Sequence, residues 1–319
     1  MKKMRLHIII LLSVFIITFI IGTFVDYDLD NALFSYKNTF GLITSIIGML
    51  PGYMMFGVFG GMFVGIMIHR KPSILFSIVL CGACVVFVLF GTYYWGKEFF
   101  GKNGFDIEDK MWIGYIIAFL TMLGFAYFGF RLEKNTDNPK LFLLIVILCV
   151  AIFMSLIAGT TVIKHIFHRP RFRMLQEMYS YSFWPDYVKF YHWYEPCKDY
   201  EEWMEFYNLS KEEFKSFPSG HCATAAVFIL VVTFLPFLNK KYKKLQLPLF
   251  YAGFAWLLLV CFVRMLVGAH FLSDVSMGSI ITLLMLLIAN EVVMRLPQFK
   301  YIEEETQNEW KCWYINTSI

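Results

Sequence analysis

The chain has 319 residues, 58% of them hydrophobic and only 16% charged, with a formal net charge of +4. Soluble domains average roughly 45–50% apolar and about 25% charged residues, so an ordinary soluble domain is excluded, and so small a net charge gives no sign of a nucleic-acid partner. The apolar residues fall into runs long enough to cross a bilayer, which predicts an all-α, polytopic membrane helical bundle of about eight transmembrane helices. Seven cysteines (Cys81, Cys84, Cys149, Cys197, Cys222, Cys261, Cys312) show neither disulfide-framework nor metal-ligand spacing. Cys81-Gly-Ala-Cys84 has the redox C-x-x-C form but lies in an apolar run, where a packed small-residue helix face is expected instead.

Leu6 to Val25 follows Lys2, Lys3 and Arg5 and has no small-x-small site before Asp26, so a retained first helix is expected rather than a signal peptide. Asp26, Asp28 and Asp30 then read as an acidic connection. A second span runs from about Leu42 to Ile68, interrupted at Pro51-Gly52 and rich in glycines that permit close helix contact. After the basic turn His69-Arg70-Lys71-Pro72, a third span covers Ser73 to Trp95 and ends in the interfacial aromatics Tyr93, Tyr94 and Trp95. A polar loop from Gly96 to Lys110 precedes a fourth span, Met111 to Phe130. The basic connection Arg131 to Lys140 leads into a fifth, Leu141 to Ile163. The longest non-hydrophobic stretch, Lys164 to Phe217, opens basic and turns acidic and aromatic, which predicts an ordered surface cap rather than a linker. Spans from about Ser219 to Leu238, Pro248 to Gly268 and Asp274 to Arg295 follow, then a polar tail from Leu296 to Ile319.

The chain thus divides into five N-terminal transmembrane helices (1–163), an outward-facing loop (164–217), three C-terminal helices (218–295) and a tail (296–319). Eight spans put both termini on one side. Loops carrying Arg70, Lys71, Arg131, Lys134, Lys140, Lys240, Lys241, Lys243 and Lys244 share that side, so the positive-inside rule makes both termini and the tail cytoplasmic. The 164–217 segment and the turn near His270 then face outward together. A bacterial plasma membrane is the expected setting.

Several polar residues at the outward span ends suit phosphate chemistry. His270 and Asp274 are spaced i, i+4 and share a helix face. A carboxylate on one imidazole nitrogen fixes the tautomer and frees the other to attack. Ser219-Gly220-His221 opens a helix after Pro218, with Ser219 as N-cap, and the free N–H groups of a helix start favour an anion. His221 is placed to protonate a leaving oxygen. Lys164, Arg171 and Arg264 supply cations, each attracting a phosphate charge by about 4 kcal/mol at close range. No acidic cluster suited to Mg²⁺ accompanies them, so neither metal nor cofactor is expected.

Lys164-(six residues)-Arg171, Pro218-Ser219-Gly220-His221 and Arg264-(five)-His270-(three)-Asp274 resemble the three signature motifs of the type 2 phosphatidic acid phosphatase superfamily. That superfamily includes glucose-6-phosphatases and shares its site with vanadium haloperoxidases. The resemblance covers about 164–274 and implies a six-helix phosphatase core with two extra helices here. It implies that His270 is the nucleophile that forms a phosphohistidine, oriented by Asp274, and that His221 is the general acid. Lys164, Arg171, Ser219, Gly220 and Arg264 would then bind the phosphate. Phe172 stands where the first motif usually has proline, and Val263 where the third usually has serine.

Blander readings hold elsewhere. Arg169 and Arg173 are expected as surface or headgroup-contacting charges, His165 and His168 as interface histidines, and the aromatics of 181–207 as membrane-surface residues. The function expected is a metal-independent membrane phosphatase acting on a lipid phosphate monoester or diphosphate at the outer face. The alternatives are a phosphotransferase on the same scaffold and a non-catalytic lipid-binding membrane protein. Membrane lipid phosphates and the bilayer are the expected partners.

Overall fold

The computed structural model describes residues 2–35, 37–101, 107–136, 138–181, 189–297 and 299. Helices account for nearly all regular structure, and no strand occurs among the described residues. Helix α1 spans Lys2–Leu33, α2 Thr39–Gly48, α3 Leu50–Arg70, α4 Ile74–Phe100 and α5 Met111–Lys134. They are followed by α6 (Leu141–Phe153), α7 (Val162–Phe167), α8 (Phe172–Tyr181), α9 (Tyr200–Phe206) and α10 (Gly220–Val232). The last three are α11 (Leu235–Leu238), α12 (Lys243–Leu266) and α13 (Leu272–Arg295). Seven helical stretches among the described residues are long and apolar enough to cross a membrane. The eighth expected span is shorter: α10 stops at Val232 and a separate turn, α11, follows. Pro236, in the first turn of α11, has no N–H to continue the ladder.

The departures from the sequence reading have local causes. The second span is two helices, because Pro51 fits the first turn of a new helix better than the interior of an old one. Asn38 caps α2, its side chain accepting from the Gly41 amide at 2.9 Å. Helix α12 begins at Lys243 rather than Pro248, and the Gln246 side-chain Nε2 there donates to the Thr233 carbonyl at 2.6 Å. The fifth span extends past Ile163 to Phe167, through a π-helical stretch at Met154–Thr161, and stops where His168 turns left-handed at φ 45°. The acidic connection does not exist as such. Asp26, Asp28 and Asp30 lie on α1, with Asp26 and Asp30 buried one turn apart.

Apolar packing arranges these helices in two bodies joined through α3. A main core draws on α1, α3, α6, α10, α12 and α13, while α4 and α5 pack on α2 and α3 around Tyr53, Trp95 and Met122. Many large apolar residues on α1, α4 and α5 face outward, as expected where lipid replaces water. Of the C-x-x-C pair, Cys84 packs toward Gly60 of α3, whereas Cys81 is exposed. The 164–217 segment has a small core of its own, made by Phe172, Leu175, Met178, Tyr191, Trp203 and Phe214, with Phe271 inserted from below. The tail beyond 299, including Cys312, lies outside the described residues, as does Asp186 of the cap.

Contacts sort the helix ends into two groups. At one end, Arg70 of α3 binds Glu133 of α5, Asn138 donates to Phe237, and Asn239 donates to Asn135. At the other, Ser273 of α13 meets Asp26 of α1, and His221 of α10 meets Glu98 of α4. The basic connections and the motif residues are therefore at opposite ends of the bundle.

Close approach of α3 to α5 depends on Gly61, where a Cβ would lie 1.7 Å from the Ala126 carbonyl oxygen. Gly61→Ala is expected to lower the thermal midpoint of the detergent-solubilised protein by an overpacking cost of about 1–3 kcal/mol. Gly82→Ala is the control, since nothing lies within 4 Å of its added methyl. An unchanged midpoint for Gly61→Ala would refute the packing.

Candidate active site

The motif residues converge where α7, α10, α12 and α13 meet. Phe167 to Arg171 runs alongside Glu213 to Ser216: the Arg171 amide donates to the Glu213 carbonyl at 2.9 Å, and the Ser216 amide to that of Arg169 at 3.0 Å. This pairing sets the first motif beside the entrance to α10. The Ser219 amide donates to the Asp274 carbonyl at 2.9 Å, and Gly278 lets α13 come this close, since a Cβ there would lie 2.2 Å from the Ser219 carbonyl oxygen. The second and third motifs are thereby locked together.

His270 sits in the connection between α12 and α13, fully buried. Its amide and that of Ala269 both donate to the Arg264 carbonyl, at 3.2 and 3.0 Å, which ties the connection to the last turn of α12. Nδ1 of His270 donates to the Ser216 carbonyl at 2.7 Å and lies 3.9 Å from Asp274 Oδ2. The Ser216 carbonyl therefore fixes the tautomer directly, and Asp274 acts at one remove. Its Oδ2 accepts from the Ser216 hydroxyl at 2.5 Å and from the Phe271 amide at 2.9 Å. Nε2 of His270 is buried without a hydrogen-bond partner. Burial, with the charges of Arg264, Lys164 and Arg171 and the nearby His221, holds the His270 imidazole well below the ordinary histidine range. With the Nδ1 proton on the Ser216 carbonyl, the lone pair of the neutral ring lies on Nε2.

Arg264, Lys164 and Arg171, the cations expected from the sequence to bind phosphate, lie around it. Arg264 is fully buried, and Nε, Nη1 and Nη2 all lack hydrogen-bond partners. Arg171 is buried as well. Lys164 donates to the Lys215 carbonyl at 2.9 Å, and a Cβ at Gly220 would lie 3.8 Å from its Nζ. Ser219 is the N-cap of α10, its hydroxyl oxygen accepting from the Cys222 amide at 3.4 Å. The hydroxyl hydrogen remains for an anion, whereas its amide is committed to Asp274. The His221 and His270 rings face each other with centroids 6.2 Å apart. A Glu98 carboxylate oxygen from α4 lies 3.5 Å from His221 Nε2.

Arg169 corrects the sequence reading most. It is no surface charge but is 1% exposed, at the centre of a network. Its Nε donates to the Tyr191 carbonyl at 2.8 Å, Nη1 to Ser273 Oγ at 2.9 Å and Asp274 Oδ1 at 2.5 Å, and Nη2 to Asp26 Oδ2 at 2.9 Å. The guanidinium also lies 4.2 Å from the Phe271 ring centroid, a cation–π contact. Ser273 in turn bonds Asp26 through both its amide and its hydroxyl. Sequence reasoning gave no role to Asp26, Ser216, Ser273 or Glu98. The i, i+4 spacing of Asp26 and Asp30 directly after an apolar run is the available signal. Arg173 is not a free surface charge either: it is mostly covered and pairs with Glu213 at 2.6 Å. His168 stacks on Tyr200 with centroids 3.8 Å apart. Phe172 and Val263, the two departures from the motifs, are fully buried, and Phe172 packs edge-on against Phe271 beside His270.

The two buried arginines should respond oppositely to truncation. Arg169→Met strands two buried carboxylates and is expected to cost about 3–5 kcal/mol. Arg264→Met removes a guanidinium whose nitrogens have no hydrogen-bond partner and should leave stability unchanged or raised. Unfolding in detergent without phosphate checks both, and equal losses would contradict the assignment.

The family comparison agrees with this geometry. A family model described as the PAP2 superfamily matches residues 140–298, from the start of α6 to the end of α13. Neither the curated proteins nor the solved structures gave a match. The matched segment contains all three motifs and every residue expected in the site. The resemblance read from the motifs holds, and the chain belongs to the PAP2 superfamily, an all-α bundle with helices of membrane-spanning length.

Proposed function

We propose that the protein hydrolyses a lipid phosphate monoester or diphosphate through a phosphohistidine on His270. The observation that carries this reading is the pairing of His270 with Arg264. One imidazole nitrogen is fixed by the Ser216 carbonyl, and the other is buried and unpartnered, in the charge field of a guanidinium that also has no hydrogen-bond partner. In the first step the Nε2 lone pair of His270 attacks phosphorus, and an N–P bond forms as the bond to the leaving oxygen breaks. That oxygen keeps the bonding electrons and takes a proton from His221. Arg264, Arg171, Lys164 and the Ser219 hydroxyl stabilise charge on the three remaining phosphoryl oxygens. In the second step a water oxygen bonds to phosphorus, the N–P bond breaks, and the neutral His221 takes the water's proton. Asp274 is a positioning residue: through Ser216 it holds the carbonyl that orients His270.

A lipid substrate is supported by the site's place at helix ends, at the depth of a phosphate headgroup. The basic connections lie at the opposite end of the bundle, so the positive-inside rule assigns the site to the extracytoplasmic side.

Purified protein in detergent is expected to release phosphate from phosphatidic acid or isoprenyl diphosphate with EDTA present. His270→Ala should lower the rate on the order of a thousandfold or more. Phosphate that appears on an added alcohol instead of in solution would assign a transferase. The pH dependence of kcat/KM should be bell-shaped, with the acid limb from His270 and the alkaline limb from His221. Because His270 is held low, the acid limb should lie below about pH 6.5, the ordinary histidine value, after correction for the ester's own ionisation. An acid limb at or above that value would refute the role given to His270.

A further inference from the structure

Glu98 lies outside the segment that matches the family, at the end of α4, where the sequence reads as a polar loop. The structure instead carries α4 on to Phe100 and turns this carboxylate inward, 5% exposed. Trp95, one turn earlier, anchors the helix end by donating from its indole to the Ile46 carbonyl of α2 at 2.9 Å. Glu98 Oε2 then faces His221 Nε2 at 3.5 Å, and neither atom has a hydrogen-bond partner. A buried carboxylate in this condition is costly unless it meets a positive charge. An imidazolium at His221 supplies one.

The geometry points to Glu98 as a positioning residue that holds His221 as the proton donor, with Nε2 toward Glu98 and Nδ1 left to deliver the proton to the leaving oxygen. This inference rests on the phosphatase reading above. The charged groups around the pair explain why such a partner is needed. Burial, Arg264 and Lys164 all oppose a positive charge on His221, and His270 faces it across the site. Lys97, Arg264 and the buried phenol of Tyr53 from α3 surround Glu98. Among these groups Glu98 is the carboxylate that favours the imidazolium. As the leaving oxygen takes the Nδ1 proton, His221 becomes neutral and keeps its Nε2 proton on Glu98. The ring is thus held in the tautomer that accepts the water's proton at Nδ1 in the second step.

Leaving-group dependence tests the assignment, because p-nitrophenolate departs without protonation and an alkoxide does not. For Glu98→Gln, kcat/KM, which covers only the steps up to departure of the leaving group, should fall about tenfold or more on dioctanoyl phosphatidic acid and stay within about threefold of wild type on p-nitrophenyl phosphate. The alkaline limb for the lipid substrate should move down by about one to three pH units, since the opposite charge favouring the imidazolium is gone. Glu98→Asp should recover part of both effects, and it decides the matter by the same comparison if the Gln variant does not fold. Equal losses on both substrates with an unmoved limb would overturn the inference in favour of a structural role. A change confined to KM would overturn it in favour of an effect on phosphate binding through Arg264. Wild-type protein that releases phosphate from neither substrate would overturn the phosphatase reading itself, whereas a normal wild type with a normal Glu98→Gln overturns this inference alone.

Discussion

Arg169 holds together three parts of the chain that have little else in common. Its guanidinium makes four hydrogen bonds, to Asp26 on α1, Ser273 and Asp274 at the start of α13, and the Tyr191 carbonyl in the cap. In a dry interior such a group is tolerable only when every donor and each facing carboxylate is satisfied, which is why the network is so complete. Asp30, one turn along α1, is the exception, with both oxygens unpartnered. The bilayer supplies no hydrophobic drive between helices, so this network does at the site end what apolar packing does in the middle of the bundle.

From Arg169 outward the site is built in layers. Asp274 divides its two oxygens between Arg169 and the Ser216 hydroxyl, and the Ser216 carbonyl orients His270. The first motif therefore reaches His270 through two intermediaries, and the cap is fixed to the same point. Beyond His270 the pattern reverses. The inner layer is satisfied and rigid, whereas the face toward His221 contains unpartnered nitrogens on Arg264, His221 and His270. Rigid support behind, with an open guanidinium and an open imidazole lone pair in front, is an arrangement that electrostatic catalysis can use.

The sequence made the motif residues legible because phosphate chemistry needs distinctive residue types at fixed separations. The bundle was legible because hydrocarbon demands long apolar runs. Legibility failed where a charge was hidden. Arg169, between His168 and Pro170, looks like any interfacial cation, and its burial depends on Asp26, more than a hundred residues earlier. Glu98 sits beside Lys97 and Gly101, so composition marks a loop, and only the packing of α4 against α2 and α3 turns it toward His221. Helix ends were misjudged for a related reason. Thr233 and Phe234 are apolar enough to continue α10, but Pro236 forbids the next turn, and the helix ends before the apolar run does.

A guanidinium buried without a partner, as in Arg264, also makes the folded state answer to its surroundings. Any tetrahedral oxyanion that seats against it supplies hydrogen bonds that the polypeptide leaves unmade. Ligand that binds only the folded form adds about 2.7 kcal/mol of stability at a concentration a hundredfold above its dissociation constant. The same side chain that would grip a substrate would also grip released orthophosphate. Product retention and resistance to unfolding would then rise together with ambient phosphate.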